Sequence, residues 1–355
     1  MRQILGLRAT ILSRTAVPCL AALLTAICLI IFSADSHGQT QMVLVTTGST
    51  MPEPLYVLWG DEYHKLHVET QIRYLPVGSS ESAKGILSGT GDLGGGDAPI
   101  PEKQLKVATH AAVELPTILV GIAIFYNVPG ATSIRLTGPV LANIYLGKTT
   151  SWSDAEIAKL NPEHKLPDLP IKVLHRTDGK GSNYIFSDYL SKLSPEFRGK
   201  VGTEISPKWP VGAAFSRCQD LLGEAAKTPG AIGYAELRCG EKSGLSMALI
   251  CNAAGEFVKP STKSISDVAV AMEPKMRDDF RASLTNAPGK ESYPIVSFTF
   301  FYVPAHPQDS QRSHAVKEYL SWVYGGGQEI ALAQGYVPLP PSLLKQVRGK
   351  VASLP

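Results

Sequence analysis

Short apolar stretches alternate with amphipathic ones along this chain, and at three of the junctions a glycine followed by hydroxyl residues leads into the amphipathic stretch. The three are Thr46-Thr47-Gly48-Ser49-Thr50-Met51-Pro52, Pro76-Val77-Gly78-Ser79-Ser80-Glu81-Ser82 and His175-Arg176-Thr177-Asp178-Gly179-Lys180-Gly181-Ser182-Asn183. Strand-like runs alternating with helical ones are the pattern of an α/β fold. The first amides of a helix have no internal partner and carry the positive end of the peptide dipoles, so each junction suits an anion. Ser and Thr are also ordinary helix caps, and one junction alone would mean little. Three together, with Arg176 inside one and Asp97 in a Gly-rich loop, point to a water-poor site for a small tetrahedral oxyanion.

Along the chain, 42–46 reads as a first strand, 52–66 as a helix opening on proline, 71–77 as a second strand and 80–87 as the next helix. Residues 91–99 read as a glycine-rich turn. A long apolar strand at 115–126 ends in the turn Asn127-Val128-Pro129-Gly130. The strand 171–174 feeds the Arg176 loop, 183–193 is its helix, and the strand 231–237 follows Pro229-Gly230. The apolar run 293–303 is long enough to recross from one body to another, before a closing helix at 314–324. Trp152, Trp209 and Trp322 read as core rather than as ligand platforms.

Arg2, Arg8 and Arg14 precede an apolar run from Cys19 to Phe32, interrupted only by Thr25 and followed by small and polar residues. That three-part pattern is expected of an export signal spanning residues 1–38, and the run is short for a membrane span of roughly 20 residues. Its removal takes Arg2, Arg8, Arg14 and Asp35, so a net charge of +3 becomes about +1, with 31 basic against 30 acidic residues. A chain so balanced lacks the clustered basic face that nucleic acid requires. The remaining length, about 315 residues, exceeds what one core usually organises, so two lobes are expected. Cys218, Cys239 and Cys251 stay in an oxidising compartment. A Cys239–Cys251 bridge across an expected hairpin is one reading, and three small buried thiols the other.

Enzyme motifs are missing. Gly147-Lys148-Thr149 resembles the end of a P-loop, but Ala142 stands where the motif needs glycine. There is no Gly-x-Ser-x-Gly elbow, and the eight histidines show no metal-ligand spacing, so neither metal nor cofactor is expected.

Thr50-Met51-Pro52-Glu53-Pro54-Leu55-Tyr56 with Trp59, Gly78-Ser79-Ser80, Gly96-Asp97-Ala98-Pro99, Tyr145-Leu146-Gly147-Lys148 with Trp152, Ile157-Ala158-Lys159-Leu160-Asn161-Pro162, Arg176-Thr177-Asp178-Gly179-Lys180-Gly181-Ser182, Lys208-Trp209-Pro210, Pro229-Gly230-Ala231-Ile232-Gly233-Tyr234 and Tyr336-Val337-Pro338-Leu339-Pro340 occur in a fixed order. In that order the chain resembles the phosphate-binding proteins of bacterial phosphate ABC transporters, over about 42–347. The resemblance implies a periplasmic binding protein of type II-like α/β fold. Two lobes, each a mixed sheet flanked by helices, are joined by two crossover strands: lobe 1 from 39–122 and 296–355, lobe 2 from 123–295. It implies a monomer that is no enzyme, that takes up inorganic phosphate, or arsenate as its mimic, in the periplasm and delivers it to a membrane ABC permease. An exported phosphatase, and a surface or sensory module binding phosphate or a phosphonate, are the alternatives.

Carried over by position, Thr50, Met51, Ser79, Asp97, Arg176, Lys180, Gly181 and Ser182 contact the ligand, with Ser49 and Ser80 supporting them and Asp178 fixing the arginine. An arginine fork matches two oxygens of a tetrahedral anion. A carboxylate at Asp97 repels an anion unless a proton lies between them, which hydrogen phosphate has and sulfate lacks. The chain departs from the family at Lys180, where serine is common, at Met51, where phenylalanine is common, and at Glu81-Ser82, where two glycines are usual. Arg217-Cys218-Gln219-Asp220 replaces a Gly-Asn turn. Glu81 and Lys180 either pair when the lobes shut or are two solvated side chains. A Lys180 turned inward adds charge for a more highly charged or organic phosphate.

Overall fold

The computed structural model describes residues 41–276 and 280–355, and the expected export segment 1–38 lies outside the described residues. Its main sheet is built from β1 (Met42–Thr47), β2 (Thr70–Leu75), β3 (Leu93–Gly96), β4 (Ala112–Tyr126), β5 (Lys172–Arg176), β6 (Ala213–Phe215), β7 (Ala231–Glu236) and β8 (Val296–Pro304). Their order across the sheet is β2-β1-β3-β8-β4-β7-β5-β6. β1 runs parallel to β2 and β3, and β5 parallel to β6 and β7. Between these two parallel sets lie β8 and β4, antiparallel to each other.

β4 is the element both halves share. Residues 112–121 pair with β8, and residues 122–126 pair with β7. Its side chains are buried from Leu115 onward, because both faces and both edges are covered. Pro116 has no N–H for the ladder, and there the register slips opposite Thr299 and Phe300. Thr117 is the residue left over, and its hydroxyl joins Tyr56 Oη at 2.6 Å and the hydroxyl of Thr299.

Four helices matter for the site: α1 (Glu53–Leu66), α2 (Ser79–Leu87), α3 (Gly181–Leu193) and α4 (Cys218–Lys227). The strands at 42–46, 115–126, 231–237 and 293–303 and the helices at 52–66, 80–87 and 183–193 all form, with ends displaced by a few residues. Asp309, whose side chain caps the amides of Gln311 and Arg312, starts the closing helix at Ser310 rather than at 314.

Two expectations are corrected. The glycine-rich turn at 91–99 contains β3, buried at every residue. Its glycines answer to packing, since a Cβ on Gly94 would sit 2.6 Å from Ile86 and one on Gly96 would strike the Tyr302 hydroxyl. Cys239 bridges Cys218, and Cys251 is the free thiol. After Cys239 the chain pairs with the end of β4 at Ser246–Met247 and then enters a separate small sheet at Leu249–Cys251, which carries Cys251 away. Trp152 is buried with its indole N–H on Gly230 O at 3.0 Å. Trp209 packs on Tyr145, and Trp322 on Tyr63.

Candidate anion-binding site

Parallel strands collect functional residues at their carboxyl ends, where each chain leaves the sheet. Here β1 leads to Gly48 and Ser49, β3 to Asp97, and β5 ends on Arg176.

Asp97 is fully buried. The Ser49 hydroxyl donates to its Oδ2, and Ser79 Oγ lies 3.4 Å from the same oxygen. Ser79 also accepts the Asp97 amide at 3.3 Å, and Ser49 accepts the Met51 amide at 3.0 Å. Tyr74 pins this corner by donating to Ser49 O at 2.6 Å. Burial pushes the Asp97 carboxyl up to about 7, against the opposing pull of the Ser49 and Ser79 hydroxyls, Arg176 and Lys180. At that value the carboxyl exchanges its proton near neutral pH.

The opposite side is carried by β5 and the start of α3. Lys180 precedes the first turn of α3 without a side-chain cap, and α1 and α2 likewise start without one. A Cβ on Gly181 would strike Asp97 Oδ2 and come within 2.5 Å of its Cβ, so only glycine lets the helix start reach the carboxyl. The Ser80 amide donates to Gly179 O at 3.3 Å, which brings the starts of α2 and α3 together.

Two buried side-chain atoms here have no hydrogen-bond partner: Asp97 Oδ1 and Ser182 Oγ. One can accept and the other can donate. Buried polar atoms are seldom left so, because each costs about 1–3 kcal/mol.

Arg176 is 5% exposed, and burial lowers its affinity for its proton. Its Nε donates to Phe215 O at 3.3 Å and its Nη2 to Ser216 O at 2.7 Å. Those carbonyls, rather than Asp178, hold the fork: Asp178 is exposed, and among the described residues no ion pair joins it to Arg176. A turn places Asp178 two residues past the end of β5, where its side chain meets solvent. Lys180 is half-buried; burial is the first cause that lowers its pKa, followed by the charges of Arg176 and Arg217. The Glu81–Lys180 pair does not form, since Glu81 binds Lys84 at 2.7 Å one turn along its own helix. The Lys180 ammonium lies instead 3.4 Å from where a Cβ on Gly78 would stand, on the site side of α2.

The expected residues therefore divide. Ser49 and Ser79 meet on Asp97, Gly181 packs against it, Ser182 follows Gly181 with a buried hydroxyl that has no partner, and the charges of Arg176 and Lys180 act on Asp97. Thr50 is half-buried and makes no hydrogen bond among the described residues, Met51 spends its amide on Ser49, and Ser80 spends its own on Gly179. Sequence reasoning missed the Phe215 and Ser216 carbonyls and Glu236, and noted Arg217 only as part of a turn that departs from the family. Glu236 is a buried carboxyl at the end of β7 that burial raises to about 7. A lone acid in the apolar run 231–237 was the available signal; a carbonyl clamp leaves none.

A PBP superfamily domain model matches residues 33–326. A phosphate-binding protein PstS of Xylella fastidiosa is 34% identical over 323 residues, 90% of this chain and 87% of its own length. One from Pasteurella multocida is 32% identical over 331 residues, covering 93% and 94%. Among solved structures, a high affinity periplasmic phosphate-binding protein (PfluDING) bound with phosphate matches with a TM-score of 0.69 at 19% identity, over 87% of this chain and 93% of its own. An ABC-type phosphate transport receptor from Vibrio cholerae matches at 0.57 and 18%, over 84% and 100%. The fold is thus the two-lobed α/β fold of periplasmic binding proteins. With a family model over most of its length and relatives of 32–34% identity across nine-tenths of it, the chain belongs to the PBP superfamily and, within it, to the PstS phosphate-binding proteins.

Proposed function

We propose that this protein binds inorganic phosphate outside the cytoplasm, in its hydrogen-phosphate forms, and delivers it as a monomer to a membrane ABC permease. The observation that carries the ligand is the pair of orphan atoms, Asp97 Oδ1 and Ser182 Oγ. A hydrogen phosphate serves both: its P–OH donates to Asp97 Oδ1, and another of its oxygens accepts from the Ser182 hydroxyl. The proton between ligand and carboxyl sits on either partner; a site this buried penalises having none. Sulfate brings no proton of its own, so whenever the carboxyl is ionised two acceptors stand face to face, a loss of several kcal/mol. Arsenate has the same shape and protonation and is expected to bind.

Arg176 and Lys180 supply the charge that the ligand neutralises, and the start of α3 adds its dipole. Thr50, Met51 and Ser80 form the near wall. The change of β4 partner from β8 to β7 at residue 122 supports lobes of 39–122 with 296–355 and of 123–295. Relatives named as binding proteins support holding rather than turnover.

Calorimetric titration of ligand-stripped protein with phosphate, arsenate, sulfate and a phosphonate tests the reading. Phosphate and arsenate should bind and sulfate should not. Equal binding of sulfate removes the proton-based selection, and turnover of a chromogenic phosphate ester would make the protein an enzyme instead.

A further inference from the structure

The two carbonyls that clamp Arg176 belong to a weakly anchored segment. β6 has three residues, pairs only with β5 and lies at the sheet edge. Ala213, Ala214, Ser216 and Arg217 are exposed, and Phe215 is half-buried. Phe215 O receives the Thr177 amide at 3.0 Å as well as Arg176 Nε at 3.3 Å. Two residues past Ser216 the chain reaches Cys218, the first residue of α4, which is bridged to Cys239. Cys239 lies in the short helix Leu237–Glu241, directly after β7, a strand buried at every residue. The bridge therefore ties a loose edge to the middle of the sheet, across 21 residues of sequence.

We propose that the Cys218–Cys239 disulfide is a positioning element of the anion site: it holds residues 215–217, so that the Phe215 and Ser216 carbonyls keep the Arg176 fork aimed and Arg217 stays beside Lys180. It rests on the phosphate reading above. A fork fixed before the anion arrives loses less freedom on binding, and affinity depends on that pre-organisation. Without the bridge, segment 213–217 keeps its ladder to β5 and its continuity into α4, whose buried Leu221, Leu222 and Ala225 lie further along the helix, and the fork follows what movement these allow.

Phosphate titrations of the parent protein, C218S/C239S, R176M and the triple variant test this. Loss of the bridge should weaken phosphate binding about tenfold in the parent background and less than about twofold where Arg176 is already Met. Equal losses in both backgrounds, or none in the parent, overturn the proposal, because the bridge then supports the fold at large or nothing at the site. Should the serine variant not fold, the folded parent is reduced with a water-soluble phosphine. The phosphine becomes its oxide with an oxygen from water, and both sulfurs leave as thiols. Hydrogen exchange at the Thr177 amide should then quicken while β7 stays protected, and unchanged exchange at Thr177 overturns the clamp. A parent protein that takes no phosphate overturns the ligand reading, and Thr177 exchange then decides the clamp by itself.

Discussion

The two flanks of the site are built on different principles. On one flank Ser49, Ser79 and Asp97 stand at strand and helix ends of β1, α2 and β3 and complete one another, two hydroxyls converging on a single carboxyl oxygen. On the other, Arg176 and Lys180 bring charge, and the arginine is held by main-chain carbonyls rather than by an acid. The difference separates two tasks. A carbonyl clamp orients the guanidinium without neutralising it, so its full charge remains for the ligand. The carboxyl, buried and buttressed on one oxygen, leaves the other without a protein partner, and that is the oxygen the proposed hydrogen phosphate would meet.

Variants of each flank can break that division. The largest effect should come from the charged one: Arg176→Met removes a buried donor to an anion and should lower phosphate affinity about a hundredfold or more in calorimetry. A loss below about tenfold would transfer the task to Lys180. Next comes the seam between the flanks, where Gly181→Ala drives a methyl into Asp97; overpacking of about 1–3 kcal/mol should weaken phosphate at least several-fold. Asp97→Asn should leave phosphate within about tenfold while sulfate, rejected by the parent, begins to bind. Unchanged sulfate exclusion would take Asp97 out of the selective role.

A further effect is read from stability without ligand. Asp97 and Glu236 are both raised from the ordinary carboxylate range to about 7, so the native state holds protons that the unfolded chain has released. Stability is greatest below about pH 4 on this account and falls as pH rises toward 7, by up to about 1.4 kcal/mol per pH unit for each group. Asp97→Asn should remove about half of that slope in denaturant unfolding. A slope left whole would place the titration elsewhere.

Much of this was legible in residue order. The helix starts expected at 52, 80 and 183 lie within two residues of those observed at 53, 79 and 181, and Asp97 stood out as an acid among glycines. The failures have a common cause. Asp178 was expected from the resemblance to fix Arg176, and for Glu81 a pair with Lys180 was one of two readings, the other being two solvated side chains. In the fold, a turn carries Asp178 into solvent, and Lys84 lies one helical turn from Glu81 and claims it first. The 91–99 stretch looked like a turn because glycine is usually read through backbone freedom, whereas Gly94 and Gly96 are small to make room for Ile86 and Tyr302.

The order of residues alone determined that this chain alternates strands and helices, that several helix starts carry groups suited to an anion, and that an acid, Asp97, stands among glycines. Those properties depend on neighbours along the chain, where spacing is fixed by covalent geometry. Tertiary structure decided which groups share one water-poor point: that Gly181 closes on Asp97, that Phe215 and Ser216 hold Arg176, and that Cys218 meets Cys239. These are contacts between segments far apart in sequence, and they exist only because the sheet order carries the chain ends to one place.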